Sequence, residues 1–156
     1  MDILTIILCV LIVILAFTDQ TKPMRIRPSF GKKPFMSKGE LHMKWCLESI
    51  YGKPFNKVRP SWLVNPKTGR RLELDCYNEE LNIAGEYNGI QHYKYTPPIF
   101  HKTEEDFEEQ KYRDKIKRGI CRIHNVKLIT VPYTVKEKHM LGFIKDRIRK
   151  MNSVDT

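Results

Sequence analysis

Two short strand-like runs joined by a turn are the feature that most constrains this chain of 156 residues. Apolar and polar residues alternate over residues 71–77, and a second strand-like run covers 81–87 after three turn residues. A period of two is typical of a half-buried strand, so the acidic side chains of the first run share one face, away from Leu74. Two neighbouring strands then carry Asp75 and Glu86, which predicts a small sheet at the centre of the fold.

A helix and a hairpin are predicted upstream of this pair of strands. Ser37 can cap a helix with Glu40 as the returning partner, and apolar residues at helical spacing extend that helix over 37–51. Residues 55–64 favour extended structure, and the Asn-Pro-Lys-Thr-Gly sequence at 65–69 is typical of a tight turn. The chain therefore predicts a hairpin whose arms lie on either side of that turn.

Two more helices and one more strand are predicted downstream. Thr103 and Asp106 begin a long polar helix, residues 126–131 form a short apolar strand halted by a proline, and the last helix covers about 134–151. The order is helix, three strands, helix, strand, helix. This order predicts an α/β domain built around a small mixed sheet flanked by helices.

The opening segment predicts a membrane anchor. Residues 3–17 carry no charge, and as a helix they would rise about 22 Å against a hydrocarbon core of roughly 30 Å. Basic residues follow closely, which by the positive-inside rule holds the rest of the chain on the cytosolic side. We expect a single-pass anchor at 1–20, a basic Pro-rich linker at 21–35 and a domain at 36–152. A cleaved signal peptide and a buried globular element are the weaker interpretations.

The charge of the chain predicts an acidic partner. The 28 Lys and Arg residues against 18 Asp and Glu residues give a formal net charge of +10, which attracts polyanions such as nucleic acid or anionic lipid. These cations are spread through the folded part, so a binding face is favoured over a disordered arm.

Cysteine and histidine patterns argue against a zinc site. The four cysteines stand singly without any CxxC pair, so they are expected to be free, small core residues. Four histidines without partners at ligand spacing are expected at the surface: His42, His101, His124 and His139.

The two acidic residues on neighbouring strands suit a hard cation. Mg²⁺ binds one or two carboxylates and completes its coordination with water and phosphate, which is the arrangement that phosphodiester cleavage requires. Asp75 and Glu86 meet this need. The Asn88-Gly89 pair is suited to positive φ and predicts a bend that leaves room for a substrate backbone. From these residues alone, two ordinary surface carboxylates are the favoured interpretation.

A wider set of motifs resembles a known family. The runs at 72–77 and 81–93 resemble the core of very-short-patch-repair-like endonucleases, which belong to the restriction-endonuclease-like PD-(D/E)xK superfamily. The likeness covers about residues 37–133. Similar domains occur in phage, in large DNA viruses and in mobile elements, which suggests a viral origin. The other segments that carry it are Ser37-Lys38-Gly39-Glu40, Asn65-Pro66-Lys67-Thr68-Gly69-Arg70, Arg113-Asp114-Lys115-Ile116-Lys117, Cys121, and Lys127-Leu128-Ile129-Thr130-Val131-Pro132-Tyr133.

The resemblance implies roles for particular residues. Asp75 and Glu86 would hold Mg²⁺ or Mn²⁺, and Glu40 would be a third acid that binds a second ion or orients a water. Gln91 and His92 would face the scissile phosphate.

One position departs from the family pattern. The residue two after Glu86 is a lysine in the standard motif, and here it is Asn88, which cannot supply a positive charge. On the long helix, Arg113, Asp114 and Lys117 are spaced to lie on one face. Arg113 and Lys117 are therefore predicted to contact DNA phosphates, and an ion-paired solvated face is the alternative.

Three functions from different classes fit the sequence. The first is a membrane-tethered, Mg²⁺-dependent DNA endonuclease that hydrolyses phosphodiester bonds at a host or virion membrane. The second is a catalytically inactive nucleic-acid-binding module with the same fold. The third is a membrane-surface protein whose basic patches bind anionic lipid.

Overall fold

The computed structural model describes residues 35–153, in which four strands form one sheet and three helices pack around it. The predicted anchor at 1–20 and nearly all of the predicted linker at 21–35 lie outside these residues. No helix within 35–153 has the length and apolar character needed to span a bilayer. The elements are α1 (Lys38–Tyr51), β1 (Asn56–Val58), β2 (Leu74–Asn78), β3 (Ile83–Asn88), a short 3₁₀ turn (Ile90–His92), α2 (Glu104–Ile123), β4 (Lys127–Pro132) and α3 (Glu137–Asn152).

The sheet is mixed, and its strand order is β1-β2-β3-β4. The first three strands are antiparallel neighbours, whereas β4 runs parallel to β3. A parallel neighbour needs a crossover connection, and α2 provides it between β3 and β4. The predicted mixed α/β architecture is therefore confirmed for the described residues.

Helices cover both faces of the sheet, and each face has its own apolar core. On one face α1 and α3 pack over the sheet, and their buried side chains include Met43, Leu47, Met140 and Ile144. On the other face α2 packs through Cys121 together with residues of the 58–74 segment. Burying one such large aliphatic side chain contributes roughly 1.5–3 kcal/mol, so the two layers supply most of the stabilisation.

Local capping explains where two helices begin. The Ser37 hydroxyl accepts a hydrogen bond from the Glu40 amide at 3.3 Å, and Gly52 ends α1 with φ of +64°. Thr103 and Asp106 form a reciprocal capping box at the start of α2. Both caps were predicted from the sequence, and each stabilises its helix by about 1 kcal/mol.

Glycines let α1 lie close to the sheet. A Cβ atom on Gly85 in β3 would lie 2.7 Å from Leu47 Cδ1, and a Cβ atom on Gly39 would lie 2.3 Å from the Tyr87 ring. A β-branched residue would be expected at a central strand position such as 85. The close approach of α1 explains why glycine stands there instead.

A β-bulge interrupts the alternation of inward and outward side chains that was predicted for β2. The pairing of β1 with β2 shifts by one residue between Asn56–Tyr77 and Val58–Leu74. An extra residue in one strand moves the side chains of the residues before it to the opposite face of the sheet. Leu74 and Cys76 consequently belong to different core layers, although simple alternation would place both on one face.

The positive φ predicted at Asn88-Gly89 is wrong, although β3 does end at Asn88. Gly89 has φ of −65°, and the non-glycine residues with positive φ in the described part are Asn82 and Asn125. A Cβ atom on Gly89 would lie 2.3 Å from Gln91 Oε1. The side chain of Gln91 therefore fills the space that was predicted to admit a substrate backbone.

The remaining differences concern element ends and one histidine. β1 is shorter than the predicted run over 55–64, because Pro60 lacks an amide donor, and α3 begins at Glu137 rather than at about 134. His101 is 4% exposed and lies against the Phe107 ring at a centroid distance of 5.2 Å, so its predicted surface position is wrong. Cys46, Cys76 and Cys121 are free and buried, as predicted.

We predict that Gly85→Ala and Gly119→Ala change stability in opposite directions. The first places a methyl group against the buried side chain of Leu47, and such overpacking costs typically about 1–3 kcal/mol. The second adds a methyl group where nothing lies within 4 Å, in the interior of α2, and should stabilise the fold by about 0.5–1 kcal/mol. Urea unfolding of both variants measures the two differences. Equal stability of the two variants would contradict the packing described for α1.

Candidate metal and phosphate site

The pairing of β2 with β3 brings two carboxylates side by side. Cys76 is paired with Gly85, so Asp75 and Glu86 are the next opposed residues, and opposed side chains project from the same face. The Asp75 amide donates to Glu86 Oε1 at 3.4 Å, and the Tyr87 amide donates to Asp75 Oδ2 at 3.0 Å. The two acids are neighbours in the structure, as the strand pattern predicted.

Lys57 connects a third acid, Glu40, to Asp75. The Nζ atom of Lys57 on β1 lies 2.8 Å from Glu40 Oε2, 3.2 Å from Glu73 Oε1 and 3.9 Å from Asp75 Oδ1. Glu40 is positioned by the first turn of α1, where it follows the cap residue Ser37. Acids from α1 and from the β2 arm thus converge on one ammonium group.

A second lysine reaches the site from α2. Lys117 Nζ lies 2.7 Å from Glu86 Oε2, and the two side chains are 14% and 8% exposed. This ion pair is shielded from water, so it is stronger than an exposed pair of the same geometry.

Burial and mutual repulsion leave the acids hard to ionise. Burial first, and then the negative charge of Asp75, raise the pKa of Glu86 to about 7 even though Lys117 opposes the shift. Burial and the charge of Glu40 raise the pKa of Asp75. Burial lowers the pKa of Lys57, but its hydrogen bonds and attraction to Glu40 and Glu73 outweigh that effect and raise it. The site therefore favours a further positive charge.

The donor set fits a hard divalent cation. Mg²⁺ is usually held by one or two carboxylates, with water and substrate phosphate completing the octahedron. The position of the Lys57 ammonium shows that oxygens of Glu40 and Asp75 can converge on one cation. Residues 35–153 contain no group of three or more His, Cys, Asp or Glu side chains arranged to hold a metal by themselves. The assignment of Asp75 and Glu86 as metal ligands stays a prediction.

His92 forms an oriented pair with α2. Its Nδ1 atom lies 2.7 Å from Asp114 Oδ2, and Gln110 Nε2 lies 3.1 Å from the same nitrogen. The shorter contact favours donation from His92 Nδ1 to Asp114, which leaves Nε2 for another partner. Asp114 and Lys117 are three residues apart, so one turn of α2 holds both His92 and Glu86.

Two of the other predicted site residues, Gln91 and Arg113, lie apart from the acids. Gln91 folds over Gly89, and no hydrogen bond of its side chain to an acid occurs among residues 35–153. Arg113 donates to Gln110 Oε1 at 2.7 Å and faces a groove rather than the carboxylates. Lys117 is paired with Glu86, and phosphate contact by Arg113 and Lys117 stays a prediction.

Sequence reasoning missed Lys57 and the partner of His92. Lys57 stands on a predicted edge strand beside a strand rich in acids, and this arrangement could have predicted its ion pairs. Asp114 was noted only for its spacing from Lys117. Its contact with His92 joins residues 22 positions apart, and local spacing carries no information about such a contact.

Cationic grooves flank the site. A cavity of about 470 Å³ beside His92 is lined by Asn88, Tyr93, Asp114, Thr130 and the cations Lys111, Lys115 and Arg118. Another cavity, of about 260 Å³, includes Arg59, Lys67, Arg70, Arg71 and Arg113 in its lining. Phosphates approaching the carboxylates would therefore meet positive charge in both grooves.

Comparison with known proteins identifies viral relatives. Uncharacterized protein 307L of Invertebrate iridescent virus 6 is 38% identical over 167 residues, which cover 85% of this chain and 84% of that protein. Uncharacterized protein 094L of Frog virus 3 (isolate Goorha) is 48% identical over 107 residues, or 68% of each chain. Uncharacterized protein 033L of Invertebrate iridescent virus 3 is 40% identical over 124 residues, and the chain spans 63% of its length. No family model matches the chain, and no solved structure matches it significantly.

We predict that the parent loses stability relative to Glu86→Gln as the pH rises. The neutral form of Glu86 is favoured in the fold, so its contribution is fully present below about pH 4.5 and is lost as the pH passes through about 7. Between about pH 5 and 8 the difference should grow by roughly 2–3 kcal/mol. Urea unfolding at each pH measures it. Glu79→Gln removes an exposed charge and should differ from the parent by a constant amount; a matching trend in both variants would refute the burial argument.

Proposed function

We propose that this chain, which belongs to the family of the viral proteins 307L and 094L, is a metal-dependent DNA endonuclease of the PD-(D/E)xK type. The observation that carries the proposal is the pair of partly desolvated carboxylates, Asp75 and Glu86, side by side on paired strands. Glu40, two lysines and the His92–Asp114 pair surround them. Few structural tasks require so many buried charges in one place.

Asp75 and Glu86 would hold Mg²⁺ or Mn²⁺. When bound, such an ion activates a water molecule and neutralises charge on the phosphate. Glu40 lies close enough to repel Asp75, and from there it can accept a hydrogen bond from a water and orient it. Hydrolysis then adds the water oxygen to phosphorus, breaks one P–O bond and leaves a proton on the departing oxygen.

Positive charge near the carboxylates supports the same reaction. Asn88, two residues after Glu86, is neutral, whereas Lys117 reaches Glu86 from α2 and Lys57 reaches Asp75 from β1. Either ammonium group can stabilise negative charge that develops on a phosphate oxygen. His92 serves the same purpose when its ring is protonated, because Asp114 then holds Nδ1–H and Nε2–H can donate to the phosphate.

The substrate class follows from the distribution of charge. The net charge of +10 and the cationic linings of the flanking grooves match the closely spaced phosphates of DNA. The element order, with three antiparallel strands between helices and a parallel strand after a crossover helix, supports a restriction-endonuclease-like core.

We also propose that residues 1–20 tether this domain to a host or virion membrane. The uncharged run at 3–17 and the basic residues after it favour a single pass with the nuclease domain on the cytosolic side. Sedimentation of the full chain with membranes, and its release by detergent, test this proposal. Recovery of the full chain in the aqueous fraction without detergent would contradict it.

An inactive DNA-binding module with the same fold is the alternative. The observation that favours it is that Lys57 and Lys117 already neutralise part of the acidic charge, while Asn88 replaces the motif lysine. Incubation of plasmid with the protein and Mg²⁺, against a control with EDTA, separates the two functions. Cleavage only with Mg²⁺ supports the enzyme, whereas binding without cleavage supports the module.

Asp75→Asn and Glu86→Gln are expected to abolish most cleavage without loss of DNA binding. Each change keeps size and hydrogen-bonding capacity but removes a charge that a hard cation requires. Plasmid nicking should fall by about 100-fold or more, beyond the effect of altering a group that only supports a ligand. DNA affinity should hold or rise, because one repulsive charge is lost.

Glu79→Gln is the control for these variants. It removes the same charge from an exposed turn next to β2 and should nick plasmid at the parental rate. If Asp75→Asn or Glu86→Gln nicks as fast as this control, the assignment of the metal ligands is wrong.

His92→Ala should lower kcat while leaving KM nearly unchanged. A side chain that acts on the reacting phosphate contributes typically about 10²–10⁴-fold to turnover, but it touches only a small part of the DNA. Asp114→Asn should cause a smaller loss and shift the pH profile, because it changes the partner of Nδ1. His139→Ala, at an exposed position in α3, is the control. A parental kcat for His92→Ala would remove this histidine from the site.

A further inference from the structure

A third basic groove lies at the open edge of the sheet, where β4 is the outer strand. It has a volume of about 440 Å³ and runs between the C-terminal halves of α2 and α3. Its lining consists of Arg118 and Arg122 from α2, Val126, Lys127 and Leu128 at β4, and Arg147, Lys150 and Met151 from α3.

Among the residues that the structure describes, the lining combines five cations with an apolar floor and includes no acid. Lys127 donates to Asn152 Oδ1 at 3.0 Å, and the Arg147 guanidinium lies 5.1 Å from the Phe143 ring. Within residues 35–153, Arg122 and Lys150 form no ion pair. Two cations without an ion-pair partner, Arg122 and Lys150, beside three further cations in one concave surface favour a polyanionic ligand over a single small anion.

A helical stripe joins this groove to the candidate site. Lys111, Lys115, Arg118 and Arg122 are exposed, and their spacings of four, three and four residues place them on one face of α2. Arg118 lines both the cavity beside His92 and the outer groove.

The distance between the two places is short. Lys117, which contacts Glu86, and Arg122 are five residues apart, or about 7.5 Å along the helix axis. A DNA strand carries one phosphate per about 3.4 Å of duplex axis. Measured along the helix axis, the near end of the outer groove therefore lies only a few nucleotides from the residue that contacts Glu86.

We propose that the outer groove binds the DNA backbone on one side of the cleavage position, so that the substrate follows the cationic stripe of α2. This inference rests on the proposed nuclease function and specifies its substrate. The enzyme should act on extended DNA and discriminate against substrates that end at the scissile phosphate. The ligand is DNA rather than anionic lipid, because the stripe leads to the carboxylate site.

The test uses the full chain in detergent and two matched triple variants. The groove variant combines Arg122→Ala, Arg147→Ala and Lys150→Ala, and the control combines Lys38→Ala, Lys136→Ala and Lys138→Ala, all at exposed positions. Each triple removes three positive charges. Binding to a fluorescent duplex of about 30 base pairs is measured in EDTA between about 50 and 200 mM salt, where phosphate contacts lose affinity.

The groove variant should bind about ten-fold more weakly at the low salt, and the slope of log affinity against log salt should become less steep by roughly 2–3, since each lost phosphate contact contributes about 0.9. The control should bind within about three-fold of the parent, with its slope unchanged. Arg122→Ala alone should show a smaller change in the same direction, and urea unfolding verifies that every variant is folded.

Two results would overturn the inference. Equal losses of affinity in the two triple variants would mean that only total charge matters. Parental DNA binding by the groove variant would mean that the groove does not hold DNA, and loss of its binding to a soluble short-chain phosphatidylserine in the same detergent would assign the groove to a lipid headgroup. Because binding is measured in EDTA, a groove that binds DNA in a protein that never cleaves would refute the nuclease function but not the groove.

Discussion

The hydrogen-bonded pairing of β2 with β3 is the constraint on which the rest of the site depends. It sets Asp75 beside Glu86 in surroundings where water cannot fully solvate either charge. Two like charges in such a place are unfavourable unless cations compensate them. Lys57 and Lys117 do so from elements on two sides of the strand pair. The carboxylate pair thus gives a common reason for the position of a cation on β1 and another on α2.

Those parts of the fold that depend on near neighbours in sequence could be predicted. Ser37 and Thr103 start their helices through contacts with residues three positions later, so their signals are visible in the chain itself. The bulge in β2 and the glycine at 85 depend instead on a partner strand and on a helix more than 30 residues away. Periodicity alone placed Leu74 on the same face as Cys76, which is wrong, and gave no reason for a glycine at position 85. Both features depend on tertiary packing.

The site shows the same difference between features set by near neighbours in sequence and features set by tertiary packing. The adjacency of Asp75 and Glu86 followed from two strands and a tight turn, which fix the register of a hairpin over a short distance. The pairing of His92 with Asp114 depends on how α2 crosses the sheet, and the sequence has no local signal for it. Gln91 shows the opposite case. It stands next to His92, yet its side chain folds back over Gly89, so proximity in sequence was a poor guide to its direction.

The position of α2 has a consequence for how this family can vary in length. Asp114, Lys117, Arg118 and Arg122 face three different surroundings, and their angular relation is fixed by 3.6 residues per turn. Inserting or deleting one residue between Asp114 and Arg122 would rotate all that follows by about 100° and separate the histidine, carboxylate and groove contacts. The turns between strands carry no such coupling. Natural length differences should therefore accumulate in the turns, while this segment of α2 keeps its residue count.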